Sequence, residues 1–140
     1  MIIERIGQGL RFLFGRYSEK NNRVVKTILS DEEFKIFDSM SEYEKIHSFR
    51  LFQMILSDET LQGEESYKKL ALLHDCGKIN ASIFRRMKKV FIGDAVLDRH
   101  SECSFEKLKN INYKVALLAR KHHLKPERKL MKRFQELDEK

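Results

Sequence analysis

The feature that most constrains this chain is the stretch Leu72-Leu73-His74-Asp75-Cys76-Gly77-Lys78. Tyr67, Leu70, Ala71 and His74 recur at the spacing of one face of an α-helix. The histidine therefore stands where a core stripe would continue. The aspartate follows about 100° further around the helix. A carboxylate placed among apolar groups needs a partner or a cation, because burying it alone is costly. A histidine and an aspartate side by side at an apolar helix end thus suggest a metal site.

The other apolar stripes carry the same oddity. His47 belongs with Leu51, Met54 and Ile55, His122 with Val115, Leu118 and Ala119, and Asp138 with Leu130, Phe134 and Leu137. Taken singly, each has an ordinary explanation. A lone histidine on an apolar face is usually a core imidazole bonded to a backbone carbonyl. Asp75 alone could cap a helix, and Asp138 near the chain end could simply be exposed. The joint pattern is harder to dismiss, since all five histidines lie at or beside such faces. A bundle that points three histidines and two aspartates inward can hold an ion between its helices. In the His122-His123 doublet one ring is expected to face the site, leaving the other to support it or to bind phosphate.

The expected fold is all-α. One proline, six glycines and no convincing strand among 140 residues suit a single helical domain. Residues 1–40 are read as leading helices and residues 41–140 as the metal-binding core. Residues 1–17 form a basic amphipathic pattern, read either as a helix packed on the domain or as one attached to a membrane surface or partner. Lys20 to Arg23 reads as a loop. Ser30 and Ser41, each followed three residues later by glutamate, are read as capping boxes opening two helices. The second should run to about Ser57. A loop over 57–66 leads to the helix ending near Cys76 and Gly77. Asn80 to Phe91 and His100 to Lys109 are read as further helices. Asn112 caps the next, and Pro126 starts the last.

The charge of +7 suits an anionic ligand, though basic solvated faces are common. Nucleic acid is not expected, because no basic motif with stacking aromatics accompanies the charge. Cys76 and Cys103 are too few for a disulfide scaffold, which favours a reducing, cytoplasmic setting. No apolar run reaches the roughly 18 residues of a membrane span, and no secretory signal is expected. Cys76 paired with a histidine is an alternative nucleophile. It accounts for neither Asp75 nor Asp138. A His100-x-x-Cys103 zinc clip lacks a second pair.

In order along the chain, "EYEKIHSFRLFQMI", "LLHDCGK", "RHSECSFEKL" and "VALLARKHH", followed by Asp138, resemble the HD domain superfamily of metal-dependent phosphohydrolases. The form is HDxGK, and no Gly-Tyr-Pro motif follows His123. The resemblance spans roughly residues 30–140 and implies a helical bundle with its metal site between the helices. It implies His47, His74, Asp75 and Asp138 as the basic ligand set. His100, His122 and His123 lie where members with a second metal carry extra histidines, with Asp75 bridging. Lys78 matches the lysine that the family places near a phosphate or a catalytic water.

The expectation is hydrolysis of a phosphoester, a nucleotide or related small molecule, with hydroxide on the ion as nucleophile. One or two divalent ions are expected, with Fe, Mn, Ni, Co, Zn or Mg all compatible with imidazole and carboxylate donors. His47, His74, Asp75, His100, His122 and Asp138 are the expected ligands. Asp75, Lys78 and His123 are the expected catalytic groups, and Lys78 and His123 the substrate-binding ones. The alternative is a nucleotide-sensing or regulatory module that keeps the site and turns little over. Oligomeric state has no signature in the sequence.

Overall fold

A computed structural model of the chain describes residues 17–78 and 94–139, with side chains from residue 100 onward in the second stretch. Of the pattern expected over 1–17 all but Tyr17, and the helix expected over 80–91, lie outside the described residues. Among the described residues the fold is all-helical. A 3-10 turn, Glu19–Asn21, leads into α1 (Asn22–Ile28), α2 (Asp31–Asp38), α3 (Glu42–Leu56) and α4 (Glu65–Leu73). These are followed by α5 (Asp94–Leu108), α6 (Tyr113–Lys121) and α7 (Lys129–Asp138).

Helix α4 is the hub. Helices α1, α2, α3 and α6 all pack against it. Leu70, Ala71, Leu72 and Leu73 are all fully buried, so its last turn has no solvent side. A helix apolar all round is stable only when covered all round. Each fully buried leucine contributes about 1.5–3 kcal/mol relative to an exposed one. Helix α5 forms a hairpin with α6, where Arg120 stacks 3.5 Å over the Phe105 ring and pairs with Glu102 at 2.9 Å. Helix α7 lies on α3 and buries Met131, Phe134 and Leu137.

Polar anchors set these packings. Ser30 forms the expected capping box with Glu33 at the start of α2. The Glu33 carboxylate, 1 % exposed, also accepts from Lys69 Nζ at 2.8 Å and Asn112 Nδ2 at 3.0 Å. One side chain thereby ties α2 to α4 and to the N-cap of α6. On the other side Asp58 accepts from the backbone of Thr60 and Leu61. It also takes Arg133 Nε at 2.8 Å, which fixes α7 against the loop after α3.

Four expectations need correction. Lys20 to Arg23 is not a loop, because the 3-10 turn and α1 run through it; burial of Val25 and Leu29 in the core outweighs the polar Asn-Asn start. Helix α5 begins at Asp94, not His100. Pro126 stands before α7 rather than at its start, which has Arg128 as N-cap. The Ser41 box is only half formed: its hydroxyl accepts from Glu44 N, but the Glu44 carboxylate reaches Lys78 instead. No helix among the described residues is long and apolar enough to cross a membrane.

Replacing Glu33 by alanine takes away the shared acceptor of Lys69 and Asn112, both half-buried, and the partner of the Ser30 backbone N–H. Glu33→Ala should therefore cost about 2–4 kcal/mol in a urea unfolding curve. A loss below about 0.5 kcal/mol, the level of an ordinary surface change, would show that the network holds nothing.

Candidate metal centre

Five helices deliver the ionisable residues to one place. His47 comes from the middle of α3, and His74 and Asp75 from the end of α4. His100 comes from α5, His122 and His123 from the end of α6, and Asp138 from the last position of α7. His47, His74, His122 and Asp138 are marked out by their apolar stripes, and Asp75, His100 and His123 by their neighbours and by the family resemblance.

His74 and His122 are positioned by the same device. Each is the C-cap of its helix, and each ring bonds through Nδ1 to the carbonyl three residues back, of Ala71 and Ala119 respectively. For His74 the distance is 2.9 Å. A carbonyl only accepts, so Nδ1 carries the proton and Nε2 is left to face the centre. The sequence signal is Ala-x-x-His at two helix ends, Ala71 to His74 and Ala119 to His122.

Asp75 stands between two groups of rings. Its Oδ2 lies 3.1 Å from His74 Nε2 and 3.7 Å from His47 Nε2. Its Oδ1 lies 2.9 Å from His100 Nε2 and 3.8 Å from His122 Nε2. Asp138 Oδ1 joins the first group, accepting from His47 Nε2 at 3.1 Å and lying 3.3 Å from His74 Nε2. His123 joins the second, its ring 3.9 Å from that of His122 and 5.5 Å from that of His100. His122 is buried and His123 exposed, yet both offer a donor atom to the same candidate group, where one ring alone was expected to face the site. Two sets of donor atoms could each hold an ion: His47, His74 and Asp75, and Asp75, His100, His122 and His123.

The donor set fits a cation better than it fits itself. Nε2 of His74, His100 and His122 are all buried and make no hydrogen bond. Carboxylate oxygens lie close to them but out of line with any N–H direction. Ligands held about 2.1 Å from one ion sit about 3.0–3.4 Å from each other, with lone pairs aimed at the ion and not at neighbours. The 2.9–3.3 Å separations of His74 and His100 from the carboxylates, with their unmet nitrogens, lie near that pattern, while His47 and His122 stand farther from Asp75, at 3.7 and 3.8 Å.

The charges tell the same story. Burial would raise Asp75, yet His74, His100 and Lys78 hold its carboxyl well below the usual range. Burial is likewise overcome at Asp138 by His47 and His74. Burial pushes His74 down, but Asp75 and Asp138 outweigh it and keep the ring protonated well above its ordinary value. Burial, with His74 and His123 adding to it, drops His122 to about 3, so that ring is neutral. Cys76, beside this centre in sequence, is pushed up to about 11 chiefly by burial. A thiol held in that form is a poor nucleophile, which removes the ground for the Cys–His alternative. Neither cysteine belongs to a candidate metal group among the described residues.

Sequence reasoning missed Glu44. Its side chain is buried, its Oε2 has no hydrogen-bond partner, and its Oε1 lies 3.4 Å from Lys78 Nζ. Lys78 Nζ is also 3.4 Å from Asp75 Oδ2. Burial raises the Glu44 carboxyl, and Asp75 and Glu44 together raise Lys78 against the effect of burial. The signal was present, one helical turn before His47. It was absorbed by the capping-box reading of Ser41 and Glu44.

No protein-family model, curated protein or solved structure matches the chain. The likeness in its motifs therefore stands on the residues themselves. The chain is an all-helical protein with a buried His/Asp cluster of His47, His74, Asp75, His100 and His122 that could hold metal.

The charge state gives a test of the cluster. His74, raised above its ordinary value, holds a proton at neutral pH that a cation must displace. Ion binding should therefore release protons near pH 7 and weaken as pH falls, since protons compete more strongly. Calorimetric titration with Zn2+ in buffers of different ionisation enthalpy should give heats that track the buffer. Heats independent of buffer would contradict this reading of His74.

Proposed function

We propose that this protein is a metal-dependent phosphohydrolase of the HD type, acting on a phosphoester such as a nucleotide or related phosphorylated small molecule. The observation that carries the reading is the set of buried, unbonded Nε2 atoms around a single carboxylate. A purely structural polar network would satisfy those atoms, as Glu33 is satisfied elsewhere in this fold.

His47, His74, Asp75 and Asp138 would hold one divalent ion, and Asp75, His100 and His122 a second, with one Asp75 oxygen turned to each. Imidazole and carboxylate donors admit Fe, Mn, Ni, Co, Zn or Mg and do not choose among them. Divalent ions here would acidify a bound water to give a nucleophile near neutral pH and would offset charge on phosphoryl oxygens. Asp75 and Asp138 cancel only part of the positive charge two such ions bring, and Lys78 adds to the rest. The balance suits a phosphate better than a neutral ester.

Lys78 is the phosphate-binding group on this reading. Its ammonium stands beside Asp75, held between that carboxylate and Glu44. There it can bind a phosphoryl oxygen as a point charge. His123, exposed at the rim and pushed down chiefly by burial of part of its ring, is neutral at pH 7. A neutral imidazole beside the leaving group can donate one hydrogen bond and accept another.

Asp75 serves both donor groups, so Asp75→Ala should abolish bound metal and hydrolysis together while leaving helicity near wild type. Metal analysis, circular dichroism and a phosphoester panel with added Mn2+ check this. The panel would include bis-(p-nitrophenyl) phosphate, nucleoside monophosphates and cyclic nucleotides. Wild-type protein that binds no ion on titration would refute the proposal. Bound metal with no turnover across the panel would replace it with a nucleotide-binding module.

A further inference from the structure

The turn carrying His74 and Asp75 is gripped by α5 through one serine. Gly77 N donates to Ser104 Oγ at 2.8 Å, and Ser104 Oγ donates to the His74 carbonyl at 3.1 Å. Lys107, one turn further along α5, donates from Nζ to the Cys76 carbonyl at 2.7 Å. Three backbone groups of the turn, left over where α4 ends, are thus met from a single helix face. The approach is also close. A Cβ on Gly77 would lie 2.3 Å from Ser104 N and 2.4 Å from the His100 carbonyl oxygen, so only glycine fits.

The contact involves the two residues that matter. Ser104 is fully buried and lies one helical turn after His100, on the same face of α5. The His100 backbone itself touches Gly77. With the helix locked to the turn at Ser104, His100 Nε2 lands 2.9 Å from Asp75 Oδ1. Helix α5 also packs on α6, through Phe105 and Arg120, and α6 in turn packs on α4, but Ser104 is where α5 bonds directly to the turn that carries Asp75.

We propose that Ser104 is a positioning residue for the second ion: its hydroxyl, set against Gly77, registers α5 so that His100 meets Asp75. The proposal rests on the metal reading above and adds a division of labour within it. His47 and His74 reach Asp75 from α3 and α4, without α5. The group containing His100 rides on the latched helix itself, whereas the group containing His47 meets the latch only at the His74 carbonyl.

The neighbouring Ser101 provides a control within the same helix. It is also buried, but its hydroxyl has no hydrogen-bond partner. Ser101→Ala removes the same atoms as Ser104→Ala without breaking the latch.

The test is titration of the full chain with Mn2+, with free ion followed by EPR and bound ion by metal analysis. Wild type and Ser101→Ala should bind two ions alike. Ser104→Ala should keep the first affinity and bind the second ion about 10–100-fold more weakly, the usual effect of removing a group that orients a ligand. His100→Ala should show the same selective loss. If Ser104→Ala does not fold, Ser104→Cys carries the test, since its thiol is a weaker hydrogen-bonding group and should give a smaller selective loss. Three results would overturn the latch: unchanged second affinity, equal weakening of both, or the same loss in Ser101→Ala. A wild type that takes one ion also overturns it and leaves the metal reading standing, whereas a wild type that takes none refutes that reading itself.

Discussion

Asp75 carries its charge inside the fold, at 3 % exposure, and the surrounding helices are arranged to make that tolerable. Its carboxylate has ring nitrogens toward both oxygens and an ammonium beside one of them. An isolated ion in that position would shift its pKa and neutralise itself. Here the shift runs the other way, because positive or polarisable groups surround it. The core of this protein is thus built outward from a charge, with the last turn of α4 buried on all sides to present it. Phe134 from α7 stands edge-on to the His74 ring at 5.7 Å and closes the apolar wall behind the cluster.

The two carbonyl-bonded histidines explain why that arrangement is rigid. Each ring is fixed at one end, Nδ1 to its own helix, which leaves Nε2 turned toward Asp75. The helix end gains a satisfied carbonyl, and the ring gains a fixed tautomer. The following turn is held in place in the same spirit. Gln135 of α7 donates to the carbonyls of His122 and Leu124 at 3.0 and 2.7 Å, so the helix bearing Asp138 also pins the doublet. Backbone groups that would otherwise be orphaned at the ends of α4 and α6 become the scaffold of the site.

Much of this was legible in the chain. The 3.6-residue spacing of Leu51, Ile55, Leu70, Ala71, Val115, Ala119, Phe134 and Leu137 marks core faces, and all eight are buried. The ionisable residues interrupting those stripes are the ones that converge. What was not legible depended on contacts far apart in sequence. Val24, Val25 and Ile28 are β-branched residues of weak helix propensity after a polar start, and α1 forms because Val25 and Leu29 find a place in the core. Glu44 has a complete local explanation as a cap. It joins the site only because Lys78, 34 positions later, offers a stronger partner than a backbone N–H. Ser104 reads as one more polar residue in an amphipathic helix until Gly77 is brought against it.

The donors come from α3, α4, α5, α6 and α7, which bears on how the bundle holds together. Direct packing links α3 with α4, α4 with α6, α5 with α6, and α3 with α7. A cation coordinated by His47, Asp75 and Asp138 would cross-link α3, α4 and α7. One coordinated by Asp75, His100 and His122 would cross-link α4, α5 and α6. Binding energy at such a site is also folding energy, because the unfolded chain cannot preassemble the donors. Without a cation the same residues place two acids and crowded rings together, relieved by the rings of His47, His74 and His100 and by Lys78. The site thus works against the bundle when its donors are unpaired and clamps it when they converge on an ion. That conflict is what separates a metal centre from an ordinary buried polar network.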